Sequence, residues 1–461
     1  RLTRADNAVY TTEGGVSKRY DATQLNTVSL GASVAITGGF QFRHSNGTDY
    51  HMVGTTDGRV VRIHDDGSTS NLATGKANNV RWSFAAYNDL AIICNGVDAP
   101  MSFDGTTFAA LAGTPPATGE VVVAHSNRVF MTKANTSALY WSKLNNPIDW
   151  TGTSDAGFMD VNPNDNSLLR TLVPGYNELL LLKGARPYRL QGVGPATGYT
   201  VASIVPTTGS IGCVSSQGGA FGVNDVFYLS ESGVHSLSTT ADFGDLKEVF
   251  VSEKIEPYFR PSTAYTVSLN RLGSSACVAY DPQWSRLYVA VDTDNDDEND
   301  TLLVYHVPLK AWSVWPDFAA SALWVVRNAT TGVREMCAGG YDGTIRALNR
   351  PVTTNTIDGH IKHISNLGEA GWEKSPRYGY LYFNELGNHT VTITTNFDFG
   401  ATGGASYSSS LLGASHTLGV SWMLGTDALG SRSQVVKRID ISGVGEFFEL
   451  AVRNRSEEHT S

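Results

Sequence analysis

The densest cluster of ionisable side chains in the sequence is DTDNDDEND, Asp292 to Asp300. Asp292, Asp294 and Asp296 have the D-x-D-x-D spacing that arranges carboxylates around calcium. The sixth position, however, is Asp297 rather than the glycine an EF-hand loop needs, and the twelfth is Leu303 rather than a bidentate glutamate. The stretch is expected to be a solvated hairpin tip. HIKH, His360 to His363, pairs two imidazoles at i and i+3. On a strand those positions point to opposite faces, so they do not share a metal. GVGPATG, Gly192 to Gly198, looks like a phosphate loop but leads into TVASIV, a strand pattern. Without a helix N-terminus behind it the loop has no means of cradling phosphate.

Other chemical signatures are missing. There is no nucleophile elbow, Walker loop, HExxH or dinucleotide fingerprint. The propeller-glycosidase Asp box, Ser-x-Asp-x-Gly-x-x-Trp, is absent too. Cys94, Cys213, Cys277 and Cys337 lie far apart with no CxxC spacing, and are expected to be buried reduced thiols. No catalytic, cofactor-binding or metal-ligating residue is assigned, and no cofactor is expected. One further stretch, ALYWSKLNNPIDWTG, Ala138 to Gly152, places Trp141 and Trp150 on either side of the loop LNNPID. Such a pair suits a sugar platform, a docking knob or the seam of a repeating β-structure.

The elements that must carry these residues are strands. The chain has 461 residues, 47 of them glycine, with 10% aromatic and only 17% charged side chains, a composition that suits short strands joined by tight turns. No apolar run reaches the ~18 residues of a membrane span. The net charge is -10 with no lysine/arginine cluster, which argues against a reader that grips nucleic-acid phosphates. It leaves open an acidic surface past which nucleic acid slides.

NRVFMTK, NDVFYLS, SRLYVAVDT, DTLLVYHV and NDLAIICN are β-branched and aromatic runs bounded by turn residues. The best helical pattern is VSEKIEPYF, Val251 to Phe259, with Ser252 as N-cap. Strand–turn–strand units recur in GTTDGRVVRI (Gly54 to Ile63), LSESGVHSLS (Leu229 to Ser238) and GGYDGTIRAL (Gly339 to Leu348), with weaker versions at Gly96 and Leu182. Asp-Gly between β-runs marks a hairpin, because glycine takes positive φ without steric cost. Their separation of roughly 40–50 residues is about one four-stranded propeller blade. The expected fold is all-β: a propeller of six or seven degenerate blades followed by a β-sandwich-type domain. The last blade is expected to run from the LYVAVDTDNDDEND hairpin through Trp312 and Trp315 to the Asp-Gly hairpin before Leu348.

The expected organisation is residues 1–50 as a segment leading into the propeller, 51–350 as the propeller and 351–454 as the sandwich. Gly400 to Ser415, GATGGASYSSSLLGAS, reads as a long mobile loop. Residues 455–461, RSEEHTS, can be encoded by the start of a common sequencing adapter and are expected to be read-through. On that reading the sandwich is truncated at its C-terminus.

Several segments in order, GGVSKRYDA, SNRVFMTKAN with LYWSKLNNPIDWTG, LSESGVHSLS leading to VSEKIEPYF, and AWSVWPDF before GGYDGTIRAL, resemble the β-propeller proteins of tailed bacteriophages. These are the packaged-DNA stabilisation proteins and the tail nozzle or tubular proteins. The resemblance spans about Gly14 to Asn349. It implies a non-enzymatic virion protein at the tail or head–tail junction, assembled in the bacterial host cytoplasm. Its implied partners are copies of itself in a ring, a hexamer, then portal, adaptor and other tail proteins. Packaged DNA is the last partner, passing through the lumen without sequence-specific binding. The contrasting reading is a carbohydrate-binding or glycan-cleaving propeller, for which two carboxylates about 5–9.5 Å apart at the disc centre would speak. Within the virion reading the two tryptophans mark a blade seam, and the turn Leu144 to Asp149 is a candidate contact to an adjacent subunit.

Overall fold

The computed structural model describes all residues except 1, 12–14, 152–154, 176–177, 193–199, 204–210, 224, 240–245, 260–274, 295, 351–356, 367–372, 385–389, 401, 411–433 and 455–461. The described residues form strands joined by turns, with short 3-10 segments at Pro163–Asp165, Glu253–Tyr258 and Asp398–Gly400. No helix among them is long and apolar enough to cross a membrane. The chain divides into two compact units, 23–312 with 316–348, and 1–22 with 313–315 and 349–461.

The larger unit is a β-propeller. Its first blade is Ile36–Arg43, Asp49–Thr55, Val60–Ile63 and Thr69–Ala73. The second, third, fourth and fifth blades begin at Ser83, Gly119, Leu169 and Gly219, each an antiparallel four-stranded sheet. The sixth is built on Cys277–Asp281, Arg286–Val291 and Thr301–His306, followed by a strand beginning at Ala311. The seventh holds Ala322–Arg327, Arg334–Gly339 and Ile345–Ala347. Its fourth strand is Thr23–Gln24, paired antiparallel through Thr23 with Ala347 and Gln24 with Arg346. A strand from the start of the unit thus closes the ring. The innermost strands touch in order from first to seventh and back to the first.

The seams from the first blade to the fifth, and that between the seventh and the first, are apolar cores. Trp82 is 2% exposed and packs with Phe42, Met52 and Ile93 between the first two blades. Glycine makes room for it, since a Cβ on Gly54 would lie 2.1 Å from the Trp82 ring. The Asp-Gly turns behave as their sequence predicts, with Gly58 at φ 76° and Gly343 at φ 70°.

The smaller unit pairs Leu2–Asp6, Gly359–Asn366, Phe447–Asn454, Thr390–Phe397 and Thr402–Ser410 in that order, all antiparallel. A second sheet pairs Tyr378–Asn384 with Gln434–Asp440. Val391, Ile393 and Phe397 from the first sheet meet Leu381, Phe383 and Ile439 from the second, which makes this part sandwich-like.

Four expectations change. Residues 1–50 are not a single lead-in, because 1–22 belong to the smaller unit, Thr23–Gln24 to the seventh blade and Ile36–Arg43 to the first. The stretch expected as one last blade is two, because DTDNDDEND and Asp-Gly each join the second and third strands of their own sheet. Val251 to Phe259 holds a 3-10 segment rather than an α-helix, and Ser252 makes no side-chain cap there. Its Oγ instead accepts from the Val234 N–H at 2.9 Å. Much of the expected mobile loop is the strand Thr402–Ser410, whose alternation carries Tyr407 into the sandwich core. Residues 411–415 of that stretch lie outside the described residues, as do 455–461.

Candidate functional site

The site that the ring itself builds is at its axis. In NNVRWSF, Val80 and Trp82 turn into the seam and are buried, so the intervening Arg81 points the other way, toward the centre. Its Nη1 donates to the Gln217 Oε1 at 2.6 Å, and its Nη2 donates to the Ser321 carbonyl at 3.1 Å and to that of Ser275. Gln217 in turn donates from Nε2 to the carbonyls of Thr37 at 2.7 Å and Trp82 at 3.2 Å. Asn299 is fully buried and donates to the carbonyls of Ser275 at 2.7 Å and Ala320 at 2.8 Å. One guanidinium therefore ties the connection into the second blade to those entering the fifth, sixth and seventh.

Desolvation lowers the Arg81 pKa, with Cys277 and Tyr341 acting against it, and a guanidinium stays charged at neutral pH. Among the described residues no carboxylate lies within salt-bridge distance of it. The charge is held by carbonyl and amide dipoles instead.

A cleft of about 180 Å³ opens beside this network, lined by Gly38, Gly39, Trp82, Ser83, Phe84, Gln217, Gly219, Val278, Ala322 and Leu323. The second and fifth blades are not neighbours, so a cleft they share lies on the axis. Among the described residues its lining holds no carboxylate, and so no acid–base pair of the kind glycoside cleavage uses.

The acidic stretch forms a nine-residue turn between the second and third strands of the sixth blade. Ligand oxygens of Asp292, Asp294 and Asp296 come within 4.8 Å of one another, but the tip is only partly solvated. Asp292 is 2% exposed and accepts from the Asp297 N–H at 3.1 Å. Partial desolvation raises the Asp294 pKa, and repulsion from Asp296, Asp300 and Asp292 adds to it. His360 and His363 lie three apart on one strand, paired across to Arg453 and Leu450. Burial lowers both imidazoles. Residues 193–198 of the glycine-rich stretch lie outside the described residues. All four cysteines are buried, and none is in a disulfide.

The bracketed loop joins the third and fourth strands of the third blade. Trp141 packs with Leu169 and Leu181 of the fourth blade, and Trp150 with Ile92 and Cys94 of the second. The two rings serve opposite seams of one sheet. Arg128, 2% exposed, fixes the loop by donating to the carbonyls of Ser142 at 2.9 Å and Asp155 at 2.6 Å and pairing with Asp155 Oδ1 at 2.6 Å. Leu144 and Ile148 remain exposed at the tip.

Sequence reasoning missed Arg81 and Gln217. The one signal available was an arginine standing between Val80 and Trp82 in a run otherwise bound for the core.

No protein-family model and no curated protein matches the chain. Among solved structures it is similar to YCF48 from Cyanidioschyzon merolae, with 12% identity over 72% of this chain and 99% of that one, at a TM-score of 0.45. It is also similar to the Cps50 (Swd1) β-propeller domain of Myceliophteria thermophila, with 11% identity over 72% of this chain and all of that one, again at 0.45. The computationally designed protein Ika8 gives 11% identity over 71% and 100%, at 0.42. Likeness at this level carries no argument about function, and the fold rests on the sheets themselves.

Proposed function

We propose that the protein is a structural component of a tailed-phage virion, a rigid propeller that assembles head to tail into a ring at the head–tail connector or tail nozzle. The ordered resemblance of its segments motivates the reading. The observation that supports it is the axis: Arg81 and Gln217 span it, and among the described residues the cleft beside them has no carboxylate in its lining. A disc bridged at its centre serves as a building block and needs no catalysis for this role. DNA on this reading runs through the lumen between copies, not through the propeller, and the balance of -10 keeps phosphates from adhering there. Ring closure needs two different faces per copy, which a rigid disc presents.

The test is light scattering on the eluting full chain, followed by electron microscopy. A closed ring, six copies on this proposal, is expected, and a monomer at micromolar concentration would overturn it. One observation favours the glycan-binding alternative. Tyr378, Tyr380 and Tyr382 stand exposed on one face of a single strand, at 54%, 53% and 69%. Aromatic faces stack on sugars, so glycan-array binding that is lost in Tyr380→Ala and Tyr382→Ala would move the assignment there.

A further inference from the structure

A constellation in the fifth blade has no part in closing the ring or in the assembly proposed above. Asp225–Ser230 and Gly233–Thr239 form a hairpin with only Glu231 and Ser232 in its loop, and Ser230 pairs with Gly233. Ser230 Oγ holds the loop by donating to the Gly233 carbonyl at 2.9 Å and accepting from the Ser232 N–H at 3.1 Å. Ser232 itself is exposed, and its Oγ lies 3.0 Å from His235 Nε2 and 3.0 Å from Ser230 Oγ. The His235 side of the contact is buried, at 3% exposure. Its ring sits between Tyr228, at 5.5 Å, and Phe250, at 5.0 Å, which restricts its rotation.

On the far side of the imidazole, Nδ1 lies 2.7 Å from Oε1 of Glu248, whose carboxylate is almost wholly buried. Among the described residues Nδ1 makes no hydrogen bond in this geometry, so the carboxylate acts on the ring by proximity alone. Glu248 comes from the next strand, Leu246–Phe250, where it pairs with Leu237 while Phe250 pairs with His235. It is therefore the diagonal neighbour of the histidine on the same face.

We infer that Ser232 is an activated nucleophile, with His235 as its general base and Glu248 as the positioning residue, and that it is acylated by small activated esters. The geometry follows the nucleophile–base–orienter order that such chemistry requires. A carboxylate facing Nδ1 favours the tautomer with its proton there, which leaves the Nε2 lone pair for the serine. Burial lowers His235 to about 4, so the imidazole is neutral at pH 7 with its Nε2 lone pair free, and the same lowering makes it a weak base, which again limits it to activated esters.

In the first step a bond forms from Ser232 Oγ to the ester carbonyl carbon while the serine proton passes to Nε2. The bond to the alcohol then breaks, and the alcohol leaves with that proton. Water, deprotonated in turn by Nε2, cleaves the acyl-serine to a carboxylic acid and restores the hydroxyl. The Ser232 N–H is already committed to Ser230 Oγ and cannot hold the oxyanion. That restricts the substrates to esters with a good leaving group and an acyl part small enough for an open hairpin tip.

The experiment uses the full chain with p-nitrophenyl acetate, reading the burst of nitrophenolate and locating the acetyl group by peptide mass spectrometry. Acetylation at Ser232, absent in Ser232→Ala and slowed at least ~100-fold in His235→Gln, is expected, since general-base help contributes about that much or more. Glu248→Gln should keep the modification at Ser232 but change the pH profile of its rate. Ser232→Cys guards against a His235 variant that does not fold. The native thiols are buried, and alkylation of the new one by iodoacetamide at neutral pH should outrun that of a free cysteine in solution. Acetylation of Ser232 no faster than of other surface serines, or an engineered thiol no faster than free cysteine, overturns the inference.

Discussion

Two turns occupy the same place in adjacent blades, each joining the second strand to the third, and they manage charge in opposite ways. In the fifth blade a two-residue loop stands over a buried histidine and glutamate packed among aromatic rings. In the sixth, a nine-residue turn gathers aspartates of one sign, with Asp292 buried and Asp294 and Asp296 exposed. The acidic turn is conspicuous in the sequence, yet its carboxylates can only accept hydrogen bonds and repel one another. The quieter turn alternates hydroxyl, imidazole and carboxylate, so donors can meet acceptors and a proton has a path. Chemistry depends on unlike groups in register, not on the density of charge.

The largest expected effect comes from breaking the fifth-blade arrangement. Glu248→Ala leaves the neutral His235 Nδ1 facing a small buried void, and a buried polar group left without its partner costs about 1–3 kcal/mol. The urea midpoint of Glu248→Ala should fall accordingly, while the corresponding sixth-blade change, Asp292→Ala, should cost clearly less. That change loses the contact to the Asp297 N–H and relieves repulsion at the same time. Equal losses at the two sites would remove the contrast drawn here.

An acid titration sharpens the same comparison. Burial lowers His51 to about 4, and its Nε2 accepts from the Trp324 Nε1–H at 2.9 Å. A histidine lowered on folding leaves stability untouched above its ordinary value of about 6.5. As pH falls from there toward 4 the unfolded chain binds the proton and the folded chain does not, so stability drops, by up to ~3 kcal/mol. His235 is also lowered to about 4 by burial, but Glu248 beside it is raised by burial and takes up a proton in the folded state first, which works the other way. Urea midpoints between pH 7 and 4.5 should therefore fall less steeply in His51→Gln than in the parent chain, and more steeply in Glu248→Gln, which loses the opposing proton uptake. An unchanged slope in Glu248→Gln would mean that Glu248 stays ionised through the window.

The turns also show how far the sequence could be read. Every strand–turn–strand unit it offered, at Gly54, Gly96, Leu182, Leu229 and Gly339, is the join between second and third strands of a blade. The two blades it did not number use ANTS and DTDNDDEND at that join, where no glycine marks the turn. The seventh blade borrows Thr23–Gln24 from more than three hundred residues upstream, a long-range pairing that local pattern does not carry. Trp141 was legible as a seam residue because it ends a strand whose alternation fixes its side, and Trp150 because an apolar ring just past an Asn-Pro turn returns toward the sheets. The axial network was not, because Arg81 and Gln217 meet only when the ring closes. Glu248 escaped for a similar reason, since its partner lies on a neighbouring strand and no fixed spacing links them.

The smallest effect tests the acidic turn by itself. Asp294 is exposed, and its pKa is raised by partial desolvation and then by Asp296, Asp300 and Asp292. A raised carboxylate in the folded state means that the ionised form is disfavoured there, so at neutral pH the native turn carries unrelieved repulsion. Asp294→Asn removes one charge and keeps the shape and an acceptor oxygen. Its unfolding midpoint in low salt, with chelator present, should rise slightly above that of the parent chain. The gain should fade as ionic strength approaches about 0.15 M, where the Debye length of about 8 Å screens exposed charges. A loss instead of a gain would mean that Asp294 makes a stabilising contact which outweighs the repulsion, and the sixth-blade turn would then resemble the fifth more than its composition suggests.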